Sequence, residues 1–138
     1  MRVEDYRQRS WLVDVPDLTA AEIAPLVKAK PQARFLLVNG IGFTGSPLAP
    51  KEGDAATNCW IEISRLSAVM SDEIGQIIAR LGAGRVVFGT GMPFNYPDPA
   101  PVKLEVVKAS AEDKEKIRWR NAAALLGGSA VEQGSANQ

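Results

Sequence analysis

Short apolar segments alternate along the chain with stretches of helical periodicity. The four segments are Trp11–Val15, Arg34–Val38, Cys59–Ser64 and Arg85–Thr90. The second contains the continuous apolar run 35–38, which is typical of a strand covered on both faces in a parallel sheet. In the third, Ile61 and Ile63 alternate with Glu62 and Ser64, as expected for a strand. The pattern therefore predicts four strands.

Helices are predicted between and after these strands. One begins after the N-cap Ser71 and ends at Gly82. Its single apolar stripe at i, i+3, i+4 and i+7 consists of Ile74, Ile77, Ile78 and Leu81. Another begins at Asp98, directly before a proline, and the last runs from the N-cap Ser110 to a stop at Gly127.

The helix nearest the N-terminus has two possible starts. Thr19 and Glu22 have the spacing of a capping box, which places the start at Thr19. Pro25 would then lie in the helix interior, where it removes a hydrogen bond. Either the helix begins later, near Pro25, or it is kinked there.

Strands that alternate with helices predict βαβ units and a parallel α/β sheet. Four strands are too few to close a barrel of eight. The chain is therefore either a small open sheet or part of a larger barrel. Residues 40–58 are predicted to form a long loop, and residues 129–138 a disordered tail. We thus expect one domain over residues 1–128.

Composition narrows the classes of function. Sixteen basic and sixteen acidic residues balance, so the chain lacks the basic character of a nucleic-acid-binding protein. Neither a secretory signal nor an apolar run of membrane-spanning length is evident. The single cysteine, Cys59, cannot form an intrachain disulfide. These features predict a cytoplasmic protein that binds neither nucleic acid nor membrane.

Ligands of parallel α/β proteins bind at the carboxyl ends of the strands. That rule nominates as substrate-pocket candidates Asp14, Asn39, Glu62, Ser64, Gly91 and Asn95, with Asp17 and Arg65 close by in sequence. Asn39 could instead belong to an Asn-Gly turn, and Asp17 could simply begin the turn into the first helix. Glu62 faces away from Ile61, so it is solvated in an open sheet and needs a partner in a closed barrel.

Other kinds of site have weaker support. The Gly89–Gly91 turn follows a strand and could cradle a phosphate, but a dinucleotide fingerprint needs a third glycine and an immediate helix. With no histidine and one cysteine, the sequence predicts no metal site. Ser64 likewise has no histidine to activate it, so no catalytic residue is predicted.

Residues 84–128 resemble the C-terminal end of the amidohydrolase-related family, which includes metal-dependent hydrolases and decarboxylases. The family typically ends with a strand reading R-hydrophobic-hydrophobic-F-G-[ST]-D-x-P, followed by a helix with the pattern I…N-A-x-x-L. The matching residues here are Arg85, Phe88, Gly89, Thr90, Pro93, Ile117, Asn121, Ala122, Leu125 and Leu126. Weaker similarity extends over residues 19–127.

The resemblance implies a closed (β/α) barrel with a divalent metal, commonly zinc, at its open end. The metal-binding aspartate of the family falls on Gly91, and one of its histidines falls on or next to Asn39. The strand that carries the family's His-x-His pair is not in this sequence. The resemblance therefore implies a C-terminal half-barrel, with two open sheet edges, that is inactive alone.

Such a half-barrel calls for a partner, which could be a second copy, a chain that supplies the missing strands, or the rest of a longer gene product. Two other functions stay open. The chain could be a non-catalytic scaffold or interaction protein that uses its open sheet, or a small module that binds a nucleotide or phosphate at Gly89–Gly91.

Overall fold

Three strands form a parallel sheet in the order β1-β2-β3. The computed structural model describes residues 18–38, 40–51, 57–93 and 96–127. The strands are β1 (Phe35–Leu37), β2 (Cys59–Glu62) and β3 (Val86–Val87). The helices are α1 (Ala20–Ala29), α2 (Glu73–Leu81), α3 (Pro99–Val106), α4 (Ala111–Glu115) and α5 (Asn121–Leu125). A π-helical turn, Lys116–Arg120, joins α4 to α5, and 3-10 turns lie at Phe43–Gly45 and Ala83–Arg85.

The predicted parallel α/β arrangement is confirmed for three of the four strands. Phe35 lies opposite Cys59, and Ile61 lies opposite Val86, all in parallel pairs. Each strand is shorter than its apolar segment. Arg85 belongs to the 3-10 turn before β3, so its assignment to a strand was wrong. The predicted strand Trp11–Val15 and the tail 129–138 lie outside the described residues.

The N-cap of α4 is the residue predicted from the sequence, whereas the N-cap of α2 lies one residue later than predicted. Ser110 caps α4 as predicted, since its Oγ accepts the Asp113 amide at 3.0 Å. The N-cap of α2 is Asp72 rather than Ser71. Asp72 adopts a left-handed conformation with φ of 46°, and its carboxylate accepts the Gly75 amide at 3.3 Å. A carboxylate at this position also suits the helix dipole.

The structure distinguishes the two possible starts of α1. The capping box is formed, because Thr19 accepts the Glu22 amide and the Glu22 carboxylate accepts the Thr19 amide. The helix then continues through Pro25 to Ala29. It therefore begins at Ala20, and the start near Pro25 was wrong.

One face of the sheet contributes to the main core. Leu37, Cys59, Ile61 and Val86 alternate with residues of the other face and are almost completely buried. They share a single apolar cluster with α1 and with the predicted stripe of α2. The amphipathic pattern of α2 thus identified its buried side correctly.

The opposite face of β1 is open in the described structure. Leu36 is 44% exposed and Val38 is 54% exposed. The prediction that the run 35–38 is covered on both faces was therefore wrong. The physical reason is that β1 is the terminal strand of the described sheet, and Leu36 points away from the core that α1 and α2 share with Leu37.

The described part of the predicted loop 40–58 is held in place by packing and hydrogen bonds. Phe43 and Leu48 are buried in the main core. The guanidinium group of Arg80 on α2 donates to the carbonyls of Thr44 and Pro50. None of the described helices is long and apolar enough to cross a membrane.

Candidate functional site

The candidate site lies at the carboxyl end of β2, where Glu62 is buried with only 6% of its surface exposed. The Ser64 amide donates to Glu62 Oε1 at 2.8 Å. The Ser64 hydroxyl donates to Oε2 at 2.6 Å. Both carboxylate oxygens therefore have a donor, which a buried charge requires. Two environments were predicted for the Glu62 side chain. The buried one with hydrogen-bond partners is confirmed, and the solvated one was wrong.

Gly89 makes room for this carboxylate. A Cβ atom built on Gly89 would overlap Glu62 Oε1 and the carboxyl carbon beside it. Gly89 follows β3 by two residues, so the Glu62 side chain crosses from β2 to the end of the neighbouring strand. A glycine is needed here for close approach, since Gly89 does not have a positive φ.

Lys103 brings a positive charge to the site from α3. Its ammonium group donates to the Ser64 carbonyl at 2.6 Å. Burial lowers the pKa of Lys103 below its usual value, and the nearby positive charge of Arg65 adds to this effect. The carboxylates of Glu62 and Glu73 act in the opposite direction. Lys103 thus links α3 to the end of β2 and partly balances the buried carboxylate.

Glu73, the first residue of α2, connects the loops after β1 and β2. Its Oε1 accepts the Gly42 amide and its Oε2 accepts the Ser67 amide, both at 3.1 Å. Its position in the first turn of α2 places its negative charge at the positive end of the helix dipole. Its bonds to two separate loops are a further role that the helix pattern did not reveal.

The structure brings only some of the predicted site residues together. Glu62 and Ser64 lie together, while Gly91 lies in the loop after β3 with φ of 70°. Asp14, Asn39 and Asn95 lie outside the described residues. Lys103 could not be found from sequence patterns, because its contact with Ser64 spans 39 positions along the chain.

The surroundings of Gly89 are unfavourable for a phosphate group. A phosphate cradled by Gly89–Gly91 would approach the Glu62 carboxylate, which lies against Gly89. The negative charges of a phosphate and of the Glu62 carboxylate repel strongly when the two groups lie close together in a partly desolvated site. Of the functions considered from the sequence, binding of a nucleotide or phosphate at Gly89–Gly91 is therefore the least compatible with the described geometry.

The described residues do not fit the divalent metal that the resemblance implies. In the part of the chain that the structure describes, no three His, Cys, Asp or Glu side chains are placed to hold a metal ion. Gly91, at the position of the family's aspartate, has no side chain to offer. The Glu62 carboxylate is already bonded twice by Ser64. A catalytic zinc ion needs about three protein ligands.

Comparison with known proteins agrees with the architecture. The protein-family model described as "Amidohydrolase" matches residues 29–128 of the 138-residue chain. This range contains all three described strands and the polar residues at the end of β2. No curated protein matches the sequence.

Proposed function

Because the chain belongs to the amidohydrolase family, we propose that it forms the C-terminal part of an amidohydrolase-type barrel and is not a hydrolase by itself. The observation that carries this proposal is the absence of histidine from all 138 residues. Metal-assisted activation of water requires several protein ligands, and histidine is the commonest of them. The ordered polar pair of Glu62 and Ser64 would then be one part of a larger site.

The exposure of β1 on the face opposite the main core supports the need for further polypeptide. Leu36, Trp60, Glu62 and Val87 share this face by strand alternation and register. In a closed barrel the face opposite the helices lines the interior. Arg85 covers Trp60, with its guanidinium carbon 4.2 Å from the ring centroid. Leu36 is left exposed beside them, as expected for an interior position that lacks its neighbours.

We further propose a fourth strand–helix unit, in which Trp11–Val15 lies along the outer edge of β1. Its connection to α1 would be residues 16–19, a usual length for such a loop. Crossovers between parallel strands are right-handed almost without exception. Since α1 packs in the same core as α2, a strand before α1 would extend the sheet beyond β1 rather than beyond β3.

The proposal that the chain is not a hydrolase alone predicts no metal-dependent turnover. The purified full chain would be assayed on ester, amide and lactone substrates, with and without added Zn²⁺, beside an active metal-dependent hydrolase as a positive control. We expect rates equal to those of buffer that contains the same metal. Zinc-dependent turnover that copurifies with the chain and is lost on chelation would contradict the proposal.

The proposed fourth unit predicts protection of the Leu36 amide. The Phe35 amide donates to the Asn58 carbonyl, so the next amide along β1 points to the outer edge. Hydrogen exchange of Leu36 would be measured over a wide range of protein concentration. We expect slow exchange at every concentration if Trp11–Val15 covers the edge. Protection that appears only at high concentration would assign the edge to a partner chain, and rapid exchange throughout would refute the fourth unit.

The exposed Leu36 and Val38 also keep open a second function, that of a non-catalytic interaction protein. In that case the open face binds another protein without completing an active site. Light scattering of the intact chain tests for self-association. A monomer whose open face does not bind any barrel fragment, although it binds another protein, would favour this second function.

A further inference from the structure

The outer edge of β3 is occupied by a helical segment rather than by a strand. Val87 directs its backbone groups toward β2, since its carbonyl accepts the Ile63 amide at 3.1 Å. Val86 and Phe88 therefore direct theirs to the opposite edge. There the Phe88 amide donates to the Ile117 carbonyl at 3.0 Å. The Val86 carbonyl accepts Asn121 Nδ2 at 2.7 Å.

The π-helical turn presents the Ile117 carbonyl to this edge. The Asn121 amide donates to Lys116, five residues back, instead of to Ile117, four residues back. The Ile117 carbonyl thus lacks its usual helical donor and accepts the Phe88 amide. The Ile117 side chain is completely buried in the main core, which fixes the position of the turn.

Two further contacts hold the segment against the sheet. Asn121 Nδ2 also donates to the Ala83 carbonyl at 2.8 Å, in the turn just before β3. Arg34, next to β1, donates from Nη1 to the carbonyls of Ala124 and Leu125 at 3.1 and 2.8 Å. A cation suits these last carbonyls of α5, where the helix dipole is negative.

We infer that residues 116–121 form an edge cap, which blocks the addition of any further strand to β3. An uncovered strand edge presents free N–H and C=O groups that template pairing with other chains, and a covering helix prevents this. The cap bonds those groups with one backbone carbonyl and one side-chain amide. The expectation of two open edges therefore fails at β3 in the described structure.

The edge cap also bears on the proposed function, because it determines which edge of the sheet is free to accept further strands. If the chain is part of a closed barrel, added strands can join directly at β1, but the cap must leave β3 before the barrel can close, because a closed barrel has no strand edges. This consequence rests on the proposed function, whereas the cap itself does not. Measurements on the β3 edge and on catalytic turnover can therefore fail independently of each other.

Replacing Asn121 with alanine tests the edge cap in the intact chain. Alanine keeps the helix but removes both donated bonds. We expect hydrogen exchange of the Phe88 amide to quicken roughly thirtyfold, as the loss of two ordinary hydrogen bonds implies. We also expect self-association by light scattering at concentrations where the wild-type chain shows no change. Asn121→Asp also lacks the donors and would place a carboxylate against the carbonyls of Ala83 and Val86, so it should quicken exchange at least as much as the alanine variant.

Thr19→Ala is the matched control, because it removes the capping box of α1 and leaves β3 untouched. Equal self-association of the Thr19 and Asn121 variants would overturn the inference, since association would then follow from lost stability alone. If the Asn121 variants fail to fold, hydrogen exchange of the wild-type chain still tests the edge cap. Its Phe88 amide must exchange nearly as slowly as that of Ile63, and exchange at the rate of an exposed loop would overturn the cap.

Discussion

Replacing Gly89 with alanine should lower the free energy of unfolding by about 3 kcal/mol, a value typical of overpacking beside a buried charge. The added methyl group would overlap the Glu62 carboxylate, which lies against the glycine. The carboxylate would have to leave its two bonds with Ser64 or push apart the ends of β2 and β3. Urea unfolding followed by tryptophan fluorescence measures the change.

Gly84→Ala provides the control for this prediction. Gly84 lies in the 3-10 turn before β3, and a Cβ there would meet no atom within 4 Å. Its substitution should change stability by no more than about 0.5 kcal/mol, as for ordinary surface positions. The prediction fails if the Gly84 and Gly89 variants are equally stable.

A double substitution isolates the contact between the two residues. If the cost of Gly89→Ala comes from overlap with Glu62, that cost should largely disappear in a Glu62→Ala background. We expect a coupling free energy of about 2–3 kcal/mol between the two positions, at the upper end of values for residues in direct contact. Additive effects would show that Gly89 is constrained by something other than the carboxylate.

The local pattern of the sequence predicted the elements better than the contacts that form the site. Ile74 and Ile77 share one stripe, and that stripe fixed both the existence and the buried side of α2. Strand alternation likewise placed Glu62 opposite Ile61, but it could not choose between solvent and a buried partner. The choice depends on Ser64 and on the missing side chain at Gly89, and Gly89 lies after a different strand.

Other errors have the same physical origin. The apolar run 35–38 predicts a strand covered on both faces, yet coverage depends on the neighbouring elements and not on the run itself. The cap on β3 depends on a shift of one residue in the hydrogen bonding of Lys116–Arg120. Helix periodicity over so short a stretch does not distinguish such a turn from an ordinary helix.

Asn58→Asp is expected to destabilise the fold by about 3 kcal/mol, more than the roughly 2 kcal/mol expected for Asn58→Ala. Asn58 Nδ2 donates to the carbonyls of Lys30 and Ala33, both at 3.0 Å, and to that of Val27 at 3.4 Å. These bonds connect the end of α1 to the start of β2. An aspartate has the same shape but offers no donor, and its charge would face carbonyl oxygens at the negative end of the helix.

The pH dependence of the two Asn58 variants separates charge from lost bonding. The carbonyls around an aspartate at position 58 favour its protonated form, which raises its pKa in the folded state. Its penalty should therefore be complete above that raised pKa and shrink as the pH falls through it, because the protonated acid can donate one bond. The alanine variant has no such group, so its deficit relative to the wild-type chain should stay constant. Equal, pH-independent losses of stability in the two variants would mean that Asn58 fills space between α1 and β2 and that its side-chain hydrogen bonds contribute little.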